Sequence, residues 1–369
     1  MSNLSNNERS FPQPRKEIKD LKAYSAPLEN RRDFLRLDFN ENTIGPSPEV
    51  YKAIQNIQSN QISIYPEYDL LIKKLSNNYF DNKRIDICEI GLFNGADAAI
   101  NAIFNSFGNK NDIFLTTNPT FGYYFPCAEM RGMKILTCRY EGKSFEFPIK
   151  DFEEKIYMHK PKLIFICNPN NPTGTILKSE KIIEIAKNNK ESIIVVDELY
   201  EKFYGDSLLP KTNFEEVNNI VVIQSLSKTA GLAGLRMGFA FGNKELIKYI
   251  NKVTGPYDVN SFAVKATIAA LNDKKYIEDY IIEVKNARLW IKNKFETLDI
   301  RSNFNGGNYF LIWPNKDPKI LVKEMKSNGI LIRSMENKKD IEKALRVSIG
   351  TKKQMQFFWE KFIKLEVCK

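Results

Sequence analysis

The stretch Ser225-Leu226-Ser227-Lys228-Thr229-Ala230-Gly231-Leu232-Ala233-Gly234-Leu235-Arg236-Met237-Gly238-Phe239 decides how this chain reads. Lys228 follows an apolar run, Ile220 to Ile223, that has the look of a buried strand. Two serine hydroxyls precede the lysine, and Arg236 follows it. Ala230, Gly231 and Gly234 are small enough to let backbone come close to a ligand. A lone Ser-x-Ser-Lys is more often a solvated turn at a strand end. Together with the arginine and the glycines, it points to a Schiff-base lysine beside a bound phosphate. The amine meets an aldehyde, and Ser225, Ser227 and Arg236 donate to a dianion.

Upstream, other strand-like runs end in polar clusters. Ile193 to Val196 leads into Asp197-Glu198-Leu199-Tyr200. A carboxylate directly after such a run is costly to bury without a cationic partner. Leu163 to Cys167 leads into Asn168-Pro169-Asn170-Asn171-Pro172-Thr173-Gly174, a loop restricted by two prolines and a glycine. Asp112 to Thr117 leads into Asn118-Pro119-Thr120-Phe121, and Ile90 to Asn94 into Gly95-Ala96-Asp97. The last of these opens an apolar helix to Phe107, whose N-terminal amides and dipole favour an anion. Ser179 is expected to cap the next helix. Strands alternating with helices from Asp86 to Phe241 predict a mostly parallel sheet covered on both faces, with ligands at the strand ends.

Beyond Tyr257 the pattern changes. Ile277, Ile281, Val284, Ala287, Ile291, Phe295 and Leu298 fall at three- and four-residue steps, the spacing of a long amphipathic helix. Short strands are expected around Tyr309 to Trp313, Ile330 to Arg333 and Ala344 to Ile349, then a helix bearing Met355, Phe358, Phe362 and Leu365. Arg333 and Arg346 stand in these strands. Near the N-terminus, Leu35 to Phe39 alternates like a short strand, Asn40-Glu41-Asn42 follows, and Gly45-Pro46-Ser47-Pro48 turns into a helix. The expected organisation is a flexible arm over 1–22 and an N-terminal segment over 23–62 that joins a small domain. A large cofactor-binding domain then spans 63–257, and a small C-terminal domain 258–369.

The chain has 369 residues and a net charge of +10. Its lysines are interleaved with Glu, Ile and Asn, as in Lys178 to Lys190, so the charge reads as a solvated surface and not as a nucleic-acid footprint. Five widely spaced cysteines with no Cys-x-x-Cys suit reduced thiols in a cytoplasm. One histidine, His159, excludes multi-histidine metal sites and reads as a surface loop residue. No apolar run approaches membrane-spanning length.

Taken together, Ser225-Leu226-Ser227-Lys228 with Gly231-Leu232-Ala233-Gly234-Leu235-Arg236, Asn171-Pro172-Thr173-Gly174, Asp197-Glu198-Leu199-Tyr200 and Leu345-Arg346-Val347-Ser348-Ile349-Gly350 resemble the signatures of class I/II pyridoxal-phosphate-dependent aminotransferases. The histidinol-phosphate branch is the most similar. The resemblance implies the type I fold of these transferases: a large domain with a mostly parallel seven-stranded α/β sheet, plus a smaller α+β domain. It implies pyridoxal 5'-phosphate bound through Lys228. Asp197 would face the ring nitrogen, Phe121 would stack on the ring, and Asn171 and Tyr200 would reach the phenolic oxygen. The phosphate would sit among Gly95, Ala96, Asp97, Ser225, Ser227, Arg236 and Tyr65 of a partner chain. Arg346 would grip the substrate carboxylate, Arg333 a substrate phosphate, and Asn42 would lie at the mouth of the site. The chain departs from the branch at Thr43, Ile44, Ile64 and Ala98. The implied function is ping-pong transfer of an amino group between glutamate and a small phosphorylated amine or ketone, by a homodimer with shared sites. A decarboxylase of phosphorylated amino acids on the same fold is the alternative.

Overall fold

The computed structural model describes residues 12–22, 29–79 and 84–367. The first strand, β1 (Leu35–Arg36), belongs to the second half of the molecule. The large sheet follows: β2 (Ile90–Asn94), β3 (Ile113–Asn118), β4 (Lys134–Arg139), β5 (Leu163–Cys167), β6 (Ile193–Asp197), β7 (Ile220–Ser225) and β8 (Met237–Gly242). Their order is β2-β8-β7-β6-β5-β3-β4. Only β8 runs against its neighbours β2 and β7; the other pairings are parallel.

Every residue of β5, β6, β7 and β8 is buried, as expected for strands covered on both faces. Alternate side chains enter different cores. Phe114, Phe165, Val195 and Val221 pack with the helices Ala96–Phe107, Tyr124–Met130 and Lys244–Asn251. Leu115, Ile164, Ile194 and Val222 pack with the helices Ile149–His159, Ser179–Asn188 and Ser261–Asn272. Because the parallel strands share one direction, the segments after β2, β3, β5, β6 and β7 all leave the same edge of the sheet.

The second half holds β9 (Arg301–Asn303), β10 (Tyr309–Trp313), β11 (Ile330–Leu331), β12 (Arg333–Ser334) and β13 (Leu345–Ser348). Four of these form an antiparallel sheet, β12-β13-β10-β9, while β11 pairs in parallel with β1. Its core gathers Phe295, Phe310, Phe358 and Phe362 from the long helix Lys274–Glu296, from β10 and from the last helix, Lys352–Val367.

Several local expectations change. The run Ile330 to Arg333 is two strands, because Ile330 and Leu331 pair with β1 while Arg333 and Ser334 pair with β13. Ser179 does not cap its helix. Lys178 is the N-cap, and the Asp206 carboxylate accepts from the Ser179 amide at 3.1 Å. His159 ends a helix and is not in a loop. The helix Ser261–Asn272, placed with the small domain by its position in sequence, packs in the core of the large sheet beside Val50 of the helix Pro48–Gln55. Of the expected arm, residues 1–11 lie outside the described residues. Lys16–Lys19 form a helical turn, with Arg15 donating to the Met130 carbonyl (3.1 Å) and Glu17 paired with Lys110 (3.1 Å).

Phe165 is fully buried in β5, stacked on Phe104 (4.8 Å) and edge-on to Phe114 (5.5 Å). Phe165→Ala is expected to cost about 3–5 kcal/mol in urea unfolding. A loss under about 1 kcal/mol would contradict this packing.

Candidate active site

The strand ends bring most of the expected residues together. Asp197 closes β6 and is buried. One carboxylate oxygen accepts from the Tyr124 hydroxyl at 2.6 Å and the other from the Leu199 amide at 3.2 Å. Burial pushes its pKa up to about 6, against the lowering effect of the Tyr124 and Leu199 bonds and of the nearby Lys228 charge. Among the described residues this carboxylate has neutral donors and no ion pair, and a protonated ring nitrogen would complete it.

Lys228 lies three residues past β7, and its Nζ donates to the Phe39 carbonyl at 3.0 Å. Burial, aided by the positive charge of Arg346, lowers its pKa to about 8. A useful fraction of the amine is therefore neutral and nucleophilic near neutral pH. Phe39 belongs to the N-terminal segment, which crosses from β1 over the ends of β6 and β7.

A chain of hydrogen bonds joins the two halves beside this lysine. Arg346 in β13 donates from Nη1 to Asn171 Oδ1 at 2.7 Å, and from Nη2 to the Asp38 carbonyl. Asn171 Nδ2 donates to the Tyr200 hydroxyl at 3.3 Å, and Asn40 Nδ2 donates to the same oxygen at 3.2 Å. Burial raises the Tyr200 pKa well above the usual phenol range. The hydroxyl therefore keeps its proton and can donate it to an oxygen placed nearby.

A candidate anion cradle lies where β2 passes into the helix Ala96–Phe107. Gly95 has φ +84° and precedes the helix Ala96–Phe107, whose first turn has no side-chain cap, so its N–H groups face outward from the sheet edge. A Cβ on Gly95 would meet Arg236 Nη2 at 2.2 Å, and one on Gly238 would meet the Gly95 carbonyl carbon at 2.3 Å. Only glycine at both positions lets the helix start, β8 and the guanidinium meet. Ser225 and Ser227 are buried, with their hydroxyls 2.8 Å apart. Arg236 pairs with the Asp97 carboxylate at 2.9 Å, so an anion here would meet the Asp97 amide and not its side chain.

The remaining expected residues fall differently. Phe121 follows β3, with its ring edge-on to Tyr124 at 5.5 Å. Asn42 has both polar groups committed: Nδ2 to the Thr229 carbonyl (2.9 Å), Oδ1 to the amides of Ile44 (2.9 Å) and Gly45 (3.0 Å). It ties the N-terminal segment to the residue after Lys228. Tyr65 is exposed and stacks on Tyr257 at 3.9 Å, away from its own chain's Lys228 cluster. Arg333 lies with its guanidinium carbon 5.1 Å from the centre of the Phe39 ring. Sequence reading missed Tyr124 and Asn40. In the pair Tyr123-Tyr124, nothing but the helix phase turns one toward Asp197.

An anion cradle of helix amides and hydroxyls, a depressed lysine and a buried carboxylate without a cation suit pyridoxal 5'-phosphate. Lys228 would hold its aldehyde carbon, Asp197 its ring nitrogen, and the cradle its phosphate. Fold and site thus define a pyridoxal-phosphate enzyme. The model of the family "Aminotransferase class I and II" matches residues 32–362. Histidinol-phosphate aminotransferases of Thermoanaerobacter sp. (strain X514) and Clostridium novyi are 31% and 32% identical to this chain; the alignments cover 91% and 92% of it and 94% and 93% of those proteins. The crystal structure of histidinol-phosphate aminotransferase from Sinorhizobium meliloti, in complex with pyridoxal-5'-phosphate, superposes with a TM-score of 0.84 at 20% identity. It covers 97% of this chain and 99% of that one. The chain belongs to the class I and II aminotransferase family. It is a pyridoxal-phosphate-dependent aminotransferase.

As pH rises, Lys228 loses its proton and becomes the nucleophile. Uptake of pyridoxal 5'-phosphate by the apoprotein, followed by absorbance, is expected to accelerate through a midpoint near pH 8. A midpoint near the ordinary lysine value of about 10.4 would contradict the buried environment.

Proposed function

We propose that the protein transfers an amino group between glutamate and a small phosphorylated amine or ketone, with histidinol phosphate as the named candidate. The observation that carries this reading is the position of Arg346. Its guanidinium is buried, fixed by Asn171 and the Asp38 carbonyl, and close enough to Lys228 to lower that amine's pKa. It suits a bidentate grip on a substrate carboxylate. Arg333 stands opposite it across the β12–β13 pair and suits a second anion. The names of the relatives support the phosphorylated partner.

The bound cofactor supplies an aldehyde for the substrate amine and a ring that accepts the electron pair of the Cα–H bond. Lys228 Nζ, about half neutral at pH 8, would remove the Cα proton as general base. Asp197 keeps a positive charge on the ring nitrogen favourable, and Tyr124 holds the carboxylate in place through its 2.6 Å bond. Tyr200 and Asn171 orient the phenolic oxygen. Arg346 fixes the carboxylate, so the Cα–H bond faces Lys228.

In half-reactions, glutamate is expected to convert the holoenzyme to its aminated form, and the keto form of the phosphorylated partner to restore it. Arg346→Lys should lower kcat/KM for glutamate about 10- to 100-fold, the usual scale for a charge-assisted hydrogen bond. Release of carbon dioxide from a phosphorylated amino acid, without keto-acid formation, would replace this reading with the decarboxylase.

We also infer a homodimer with shared sites, acting in a cytoplasm. Exposed Tyr51, Ile62, Ile64, Tyr65, Leu70 and Tyr257 support the dimer. The unpaired thiols of Cys127, Cys138 and Cys167 suit a reducing compartment. Sedimentation is expected to give twice the chain mass, and Tyr65→Ala to weaken cofactor retention in the dimer. A monomer with full activity would overturn the shared site.

A further inference from the structure

Tyr309 opens β10 of the antiparallel sheet and is fully buried, yet the mechanism above gives it no part. Its ring lies edge-on to Tyr200, with centroids 5.0 Å apart, and the Arg346 guanidinium carbon stands 5.8 Å from its centre. Tyr200 and Arg346 are both partners of the Asn171 side-chain amide. Gly307, at φ +81°, leaves room for the ring: a Cβ there would lie 2.6 Å from Tyr309 Cζ. A phenylalanine would fill the same space, so packing does not account for the hydroxyl.

That hydroxyl crosses to the loop after β5 and donates to the Asn170 carbonyl at 2.6 Å. The carbonyl already accepts from the Gly174 amide at 2.6 Å, so it does not need Tyr309 to be satisfied. Asn170 is otherwise held from loops of the large sheet. Its amide donates to the Thr175 carbonyl (2.8 Å), and its Oδ1 accepts from the Thr120 hydroxyl (2.7 Å). Its Nδ2 donates to the Pro119 carbonyl (3.0 Å) and to Thr173 Oγ1 (2.8 Å). Among the described contacts, Tyr309 makes the one bond from the antiparallel sheet to this residue. The Asn170 carbonyl and the Asn171 amide form a single planar peptide. Tyr309 fixes its oxygen, and Cys167 Sγ accepts from its N–H at 3.4 Å. Holding that plane sets the direction in which the Asn171 side chain leaves the backbone. The hydroxyl stays a donor, because burial raises the phenol pKa well above its usual range.

We infer that Tyr309 is a positioning residue: its hydroxyl holds the peptide between Asn170 and Asn171 so that Asn171 Nδ2 points at the phenolic oxygen of pyridoxal 5'-phosphate. This rests on the role of Asn171 proposed above, and the test separates the two. A donor on that oxygen draws off negative charge that would otherwise hold the proton on the Lys228 nitrogen joined to the cofactor. Weakening the donor should therefore raise the pH at which the visible absorption of the holoenzyme changes. Holoenzymes of the parent, Tyr309→Phe, Asn171→Ala and the double variant are titrated by absorbance, with urea unfolding recorded for each. In Tyr309→Phe the absorption midpoint is expected to rise by about 0.5 pH, the scale of one neutral hydrogen bond. Asn171→Ala should raise it by at least as much. Adding Tyr309→Phe to Asn171→Ala should move it no further, because the hydroxyl acts through that side chain. If Tyr309→Phe lowers urea stability but leaves the absorption midpoint in place, the hydroxyl is only structural and the inference is wrong. An equal shift in both backgrounds would mean that the hydroxyl acts by another route, and is equally fatal to it. If Asn171→Ala itself leaves the midpoint in place, the role of Asn171 is refuted and the inference falls with it.

Discussion

The hydrogen bond from Arg346 to Asn171 is the interaction on which the arrangement rests. It joins a strand of the antiparallel sheet to a loop at the end of β5, where Tyr309 of β10 also donates to the Asn170 carbonyl at 2.6 Å. From it the chain of donors runs on through Asn171 to Tyr200, with Asn40 reaching the same hydroxyl. A buried guanidinium cannot be left without acceptors, so Arg346 draws in both the Asn171 amide oxygen and the Asp38 carbonyl. The N-terminal segment is thereby held against the site, and its Phe39 carbonyl positions Lys228.

Burial acts in opposite directions on the two central ionisable groups. It raises the pKa of Asp197 and lowers that of Lys228, in each case favouring the neutral form. A core built only for stability would put such groups in contact as an ion pair or replace them. Here the carboxylate is given a phenol and an amide, and the amine a carbonyl. These three bonds hold the two side chains in place without cancelling their reactivity. The missing charge and the missing covalent partner are those that a pyridoxal ring provides.

Much of this was legible in the chain. Continuous apolar runs such as Leu163 to Cys167 and Ile193 to Val196 mark strands covered on both faces, and each ends in a polar cluster that reached the site. The small residues at Gly95 and Gly238 were visible, although the contacts that require glycine there were not. Other assignments depended on contacts remote in sequence. Asn42, expected at the mouth of the site, engages Thr229, Ile44 and Gly45 through its amide. Ser179 was read as a cap, yet an aspartate 27 residues later does that work.

The sequence by itself determined the element types, the mostly parallel sheet and the cofactor chemistry, because local spacing and strand-end motifs depend on neighbours along the chain. Tertiary structure alone decided which tyrosine holds Asp197, where Arg346 finds its acceptors, and that the Phe39 carbonyl meets Lys228. The physical reason is that a polar side chain acquires its charge state and direction from groups packed around it. Those groups come from segments 73 to 308 residues away, which no local pattern records.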